Sequence, residues 1–257
     1  MSAENGISGL AEIELKIAFR LPGCPICRVK QQSARRYLDF LLWENVNDMA
    51  TRIHVVRSLG YCSEHTWQLY HLEMNRFGDG LGVSIIYEDL THHIGAGLCK
   101  FLAQLPASAP SKRPWWAKVW ARLGAVLGGH PPVAASMPDD LVPREECRVC
   151  SIARQSEQNA TQSLIKGCTH SAFRDWYAAS DGICVTHLRQ ALEAAAQIDA
   201  GAARFLTDNA AKRLASLATD LSEYSRKRSW QYRHEALSDG EQDAPRRASQ
   251  FFGGPDG

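Results

Sequence analysis

Apolar residues recur at intervals of three and four over most of this chain, the spacing of one helical face rather than the alternation of a strand. Tyr37, Leu38, Leu41 and Leu42 form one such face. Asn47 or Asp48 stands where it can cap a following helix through Ile53 and Val56, and Gly60 ends that helix. Cys62 to Phe77 is predicted as the next helix, Gly78-Asp79-Gly80 as a turn, and Leu81 to Leu105 as a long closing helix. The plan then repeats. A helix runs from Cys150 through Leu164 and Ile165, breaks near Gly167, resumes through Phe173 and Trp176, and ends at Asp181-Gly182. Cys184 and His187 open another, and Leu206, Ala210, Leu214, Leu217, Leu221 and Tyr224 recur as the stripe of a longer one. Residues after Leu237 are polar and glycine-rich apart from Phe251 and Phe252, and read as a loosely ordered tail.

Proline marks where the halves part. Seven of the eleven prolines fall in residues 106–143, and no acidic residue stands between Leu105 and Pro138. The expected fold is therefore all-α: a first helical repeat over 1–105, a proline-rich linker over 106–143, a second repeat over 144–237, and a polar tail over 238–257. Inside the linker, Trp115 to Leu127 carries Trp116, Val119, Trp120, Leu123 and Leu127 on one face and Lys118 and Arg122 on another, which predicts a short amphipathic helix. Such a segment suits packing or partner docking; with Gly124 inside so short a helix, peripheral membrane binding through 115–127 is the weaker expectation.

The chemistry follows the repeat. Cys24-x-x-Cys27 precedes Cys62-x-x-His65, and Cys147-x-x-Cys150 precedes Cys184-x-x-His187, with inner gaps of 34 and 33 residues and the copies about 123 residues apart. Gly60 and Gly182 each stand two places before a third ligand. Three thiolates and one imidazole make a closed tetrahedron around zinc, and the x-x spacing lets two ligands of one turn reach one ion. Each gap holds helix-forming sequence, so the ion is expected to join the ends of a helical hairpin in each repeat. Two zinc ions are the expected cofactors, held by Cys24, Cys27, Cys62, His65, Cys147, Cys150, Cys184 and His187. Spacing alone leaves open whether each CxxC pairs with the CxxH of its own repeat; own-repeat pairing is the simpler reading. Iron–sulfur clusters on the same ligands are the alternative, since cysteines with one histidine also hold iron. Thioredoxin-like chemistry does not account for a histidine in the fourth place of both copies. Disulfides do not fit an N-terminus without a basic start and an apolar run of signal length.

Composition narrows the picture further. The chain has 257 residues and a formal net charge of +1, which argues against a general polyanion binder. It has no apolar run of spanning length. A cytoplasmic protein is the expectation.

The chain also resembles a bacterial family known as a domain of unknown function. The resemblance lies in Cys24-Pro25-Ile26-Cys27, in Tyr37 to Asp48, in Gly60-Tyr61-Cys62-Ser63-Glu64-His65-Thr66-Trp67, in Gly78 to Gly82 leading into Tyr87-Glu88-Asp89, and in Arg226 to Glu235. It covers most of the chain and implies the repeat, but no reaction. Where the family has proline inside the second CxxC, this chain has Arg148-Val149.

Other residues carry weaker signals. Glu88 and Asp89 lie one turn before His92 and His93, a spacing that suits acid–base work and equally an i, i+4 surface pair. Cys168-Thr169-His170 has no counterpart in the first gap and offers a spare ligand pair or a sensor thiol, although Cys168, and Cys99 still more, reads more simply as a small buried residue. Arg226 to His234 interleaves cations with Trp230 and Tyr232, as single-stranded nucleic-acid binders do, although acidic residues follow directly. A closed Cys3His site leaves no place for an activated water. The expected function is therefore non-catalytic: a zinc-stapled interaction, adaptor or regulatory protein whose partners are other proteins or itself, with redox or electron transfer as the competing class.

Overall fold

A computed structural model describes residues 9–105 and 137–255. The linker segment 115–127 lies outside the described residues. Among the described residues the regular structure is helical, with no strand: α1 (Leu10–Ala18), α2 (Pro25–Phe40), a π-helical continuation (Leu41–Asn45), α3 (Met49–Arg57), α4 (Ser63–Arg76), α5 (Leu81–Gln104), a 3-10 turn (Asp139–Leu141), α6 (Arg148–Gly167), α7 (Ser171–Ala179), α8 (Val185–Ile198), α9 (Ala200–Arg228) and α10 (Asp239–Gly253). The repeat is visible element by element, with α2 to α5 answered by α6 to α9. Local chemistry sets the boundaries. Asp48 caps α3 by accepting from the Thr51 amide at 2.8 Å. Asp199 does the same for α9 through Gly201 and Ala202.

The described residues fall into two compact units, one drawn from residues 1–37 and 151–257, the other from residues 38–150. Sequence repeat and spatial unit are thus different divisions of the chain. In the first unit the core gathers Leu15, Phe19, Ile26, Val29, Leu164, Ile165, Phe173, Tyr177 and Leu206. Phe19 meets Phe173 edge-on at 5.3 Å. Each aliphatic side chain buried this fully stabilises the fold by roughly 1.5–3 kcal/mol. Cys168 is wholly buried in this core, as expected of a small apolar residue.

The second unit packs α3 and α4 against α5. Leu38, Leu41, Val55, Leu69, Ile86 and Leu90 are buried there. Glu73, 2 % exposed, reaches back to the start of α5, where its carboxylate accepts from the Gly82 amide and, at 2.7 Å, from Val83. A carboxylate at a helix N-terminus meets both the unpaired amides and the positive end of the dipole.

Two expectations need correction. The residues after Leu237 are not a loose tail. Ser238 and Glu241 form a reciprocal capping box that starts α10, and this helix packs on α9 and α8. Glu241 is further tied to Lys227 at 2.7 Å. Cys99 is exposed rather than buried, because α5 turns that face outward.

Candidate metal centres

The eight ligand-type side chains gather into two groups of four. Cys24, Cys27, Cys184 and His187 form one, and Cys62, His65, Cys147 and Cys150 form the other, with one ligand atom from each residue lying within 4.8 Å of the other three in its group. Both groups are Cys3His. The pairing, however, crosses between repeats. Each CxxC meets the CxxH of the other copy, and the own-repeat quartets Cys24/Cys27/Cys62/His65 and Cys147/Cys150/Cys184/His187 do not form. Helix lengths give the reason. The second cysteine of each CxxC lies in the first turn of a helix of 16 residues in α2 or 20 in α6, which carries the chain about 24–30 Å away. The helix that follows has nine residues in each copy and is only about 13 Å long. A helix this short does not span the length of the longer one, and the third and fourth ligands meet the CxxC of the other copy instead.

In all four motifs the ligands sit at a helix N-terminus. Cys62 and Cys184 are the N-cap residues of α4 and α8, with His65 and His187 one turn in. Gly60 and Gly182 adopt φ of +94° and +79°, so the turn that delivers the third ligand needs a residue without a side chain. A Cβ on Gly60 would also come within 3.1 Å of Leu90.

In the first group, which lies in the unit of 1–37 and 151–257, His187 Nδ1 faces the sulfurs of Cys184, Cys27 and Cys24 at 3.1, 3.3 and 3.4 Å, and Cys27 and Cys184 are 3.8 Å apart. The other ring nitrogen, Nε2, is 2.9 Å from Glu157, whose second oxygen holds Lys30 at 2.8 Å. A carboxylate on the far nitrogen of a ligating histidine fixes its ring and tautomer. Burial alone would raise the Glu157 carboxyl, but the Lys30 and His187 contacts outweigh it and hold the group below its usual range. Burial also disfavours the His187 imidazolium, yet hydrogen bonds to Cys184 and Cys24 prevail and lift it to about 10. Hydrogen bonds from Cys24 and Cys27 hold Cys184 far below the ordinary thiol range. The loops are tied together as well: the Gly23 amide donates to Asp181 at 2.7 Å. Arg213 packs on Gly182 while donating to the carbonyls of Ser180, Tyr177 and Ala178.

In the second group, within residues 38–150, His65 Nδ1 faces Cys62, Cys150 and Cys147 at 3.0, 3.3 and 3.6 Å, and Cys62 and Cys150 are 3.5 Å apart. The approach to Cys147 is held by the Arg144 amide donating to the Arg57 carbonyl at 2.7 Å, and by Glu145 pairing with His54 and Arg57. His54 thus acts as an anchor beside the ligands, a role its sequence position did not announce.

The weaker candidates lie outside both metal groups. Asp89 pairs with Arg52, and His92 is exposed. His170 stands exposed at the N-terminal boundary of α7, makes no capping bond with its side chain, and joins neither group. In the basic stretch, Arg226 pairs with Glu223 and Glu235 and Lys227 with Glu241, so much of its charge is answered locally. Helices α2 and α6 touch through the hydroxyls of Ser33 and Ser156 at 2.6 Å, equivalent positions of the two repeats. No helix among the described residues is long and apolar enough to cross a membrane.

Comparison with known proteins agrees with the duplicated motif. A family model described as "Family of unknown function (DUF6062)" matches residues 9–118 and again 142–256. The chain is 34 % identical over 82 residues to an "Uncharacterized 23.9 kDa protein in xynA 3'region" of Caldicellulosiruptor sp. (strain Rt8B.4), a match covering 30 % of this chain and 37 % of that one. No solved structure matches.

Proposed function

We propose that this chain, which belongs to the DUF6062 family, is a non-catalytic zinc protein that holds one ion in each Cys3His group and acts through interaction with other proteins. The compactness of the ligand atoms carries this reading. A single zinc ion, with bonds of about 2.3 Å to sulfur and about 2.0 Å to nitrogen, spaces its tetrahedral sulfurs about 3.8 Å apart and sulfur from nitrogen about 3.5 Å. The sulfur–sulfur contacts of 3.5 and 3.8 Å and sulfur–nitrogen contacts of 3.0–3.6 Å match those edges. An iron–sulfur cluster places several irons and bridging sulfides among its ligands, which calls for a wider cage than one whose ligand atoms all lie within 4.8 Å. The same observation therefore favours zinc over the redox alternative.

Four protein ligands complete the zinc shell and leave no open position for a substrate or an activated water, so the ion supplies no catalysis and the protein acts through its surface. Exposed Trp67 and Tyr70 stand in α4 shortly after His65, with Trp67 stacked on His71 at 6.0 Å. Large exposed rings of this kind favour a protein partner. The local pairing of Arg226 and Lys227 speaks against nucleic acid. Metal analysis with a visible spectrum on anaerobically purified protein tests the proposal. Two equivalents of zinc in a colourless protein are expected; iron with acid-labile sulfide and visible absorption would overturn it.

A further inference from the structure

The two centres share a ligand set but not a setting. In the first, Cys24, Cys184 and His187 are 2, 4 and 3 % exposed and only Cys27 is half-buried, while in the second only His65 is buried and all three cysteines are half-buried. Glu157 and Lys30 orient His187, whereas among the described residues no carboxylate is bonded to His65 Nε2. The sequence carries the same asymmetry: the first-repeat counterpart of Glu157 is Ala34, and the second-repeat counterpart of Lys30 is Ala153. The end of α10 also covers the first group. A Cβ on Gly254 would lie 3.4 Å from Cys27 Sγ, and one on Gly23 would lie 3.1 Å from Pro255. A cavity of about 280 Å³ borders Cys24 and Cys184, but Arg213 and Arg247 on its wall already donate to Ser180, Tyr177, Asp220 and Gly240.

We propose that the centres are functionally unequal: Cys24/Cys27/Cys184/His187 is a permanent staple, and Cys62/His65/Cys147/Cys150 is an exchangeable zinc site through which the protein responds to zinc supply. This rests on the zinc reading above. Ligand exchange proceeds by an incoming thiol or chelator attacking an ion whose own ligands swing away one at a time. Three half-buried sulfurs, against one in the first centre, admit that attack more readily, and a histidine without a carboxylate partner is freer to leave.

The test uses the full-length zinc-loaded chain and the chromogenic chelator 4-(2-pyridylazo)resorcinol. One equivalent should transfer at least about tenfold faster than the other. Cys62→Ser should abolish the fast phase and Cys184→Ser the slow one. Glu157→Gln, which keeps the side chain's shape, should speed the slow phase, in line with the roughly 10–100-fold loss of affinity that follows removal of such a partner, and leave the fast phase unchanged. Two indistinguishable phases, or a fast phase lost in Cys184→Ser and kept in Cys62→Ser, would overturn the inference while leaving two zinc sites standing. A slow phase unmoved by Glu157→Gln would do the same. Protein that binds no zinc would overturn the zinc reading as well.

Discussion

Crossed pairing makes a prediction that pairs of substitutions read directly. Serine at a ligand position replaces a soft thiolate with a hydroxyl that zinc holds poorly, so each single change should cost one of two ions under a competing chelator. Cys24 and Cys184 serve the same ion, and Cys24 and Cys62 serve different ones. The double variant Cys24→Ser/Cys184→Ser should therefore keep one equivalent, and Cys24→Ser/Cys62→Ser should keep none. Stability should follow the same logic. Structural zinc contributes on the order of 10–16 kcal/mol of apparent binding free energy in small peptides, as much as the whole stability of a typical domain, roughly 5–15 kcal/mol. Once Cys24→Ser has removed the ion, Cys184→Ser has little left to cost, so the coupling between the two should approach the full effect of either alone. Native mass spectrometry counts the ions, and denaturant unfolding gives the coupling. One ion retained by Cys24→Ser/Cys62→Ser and none by Cys24→Ser/Cys184→Ser would refute the crossed arrangement and restore pairing within each repeat.

Two further outcomes follow. Gly60→Ala forces a side chain into φ of +94° and within 3.1 Å of Leu90, so it should destabilise the unit of 38–150 by about 1–2 kcal/mol and lower zinc retention at Cys62, measured by unfolding and metal content. The Glu241 carboxyl is held below its usual range, chiefly by Lys227 and also by the Ser238 amide. A depressed folded value means that the stabilisation is present above the ordinary glutamate range and fades as pH falls through the depressed one. Hydrogen exchange should therefore show α10 loosening on acidification through that window; protection in α10 that did not change there would contradict the role given to Glu241.

The helices were legible because the apolar period of α2 to α9 is set by burial of one face, and the ligands were legible because CxxC and CxxH constrain two side chains within one turn. Their pairing was not, since both arrangements use the same spacings. The usable signal was the mismatch between a long helix after each CxxC and the nine-residue helix that follows it. Glu157 escaped notice because its partner His187 lies 30 residues away and only the fold joins them; comparing the repeats, where Ala34 stands opposite Glu157, marks the position as unusual. Helix α10 was missed for another reason. Its polar composition masked the Ser238-x-x-Glu241 start signal, and its docking depends on Lys227 and on the small buried side chain of Ala244 rather than on a broad apolar stripe.

X-ray absorption at the zinc edge of the purified protein reads the ligand shell of both centres. Two zinc ions per chain are expected, each with three sulfur neighbours at about 2.3 Å and one nitrogen at about 2.0 Å, and no metal neighbour nearby. An iron edge with iron–iron and bridging-sulfide scattering, or a zinc shell filled by oxygen, would contradict it.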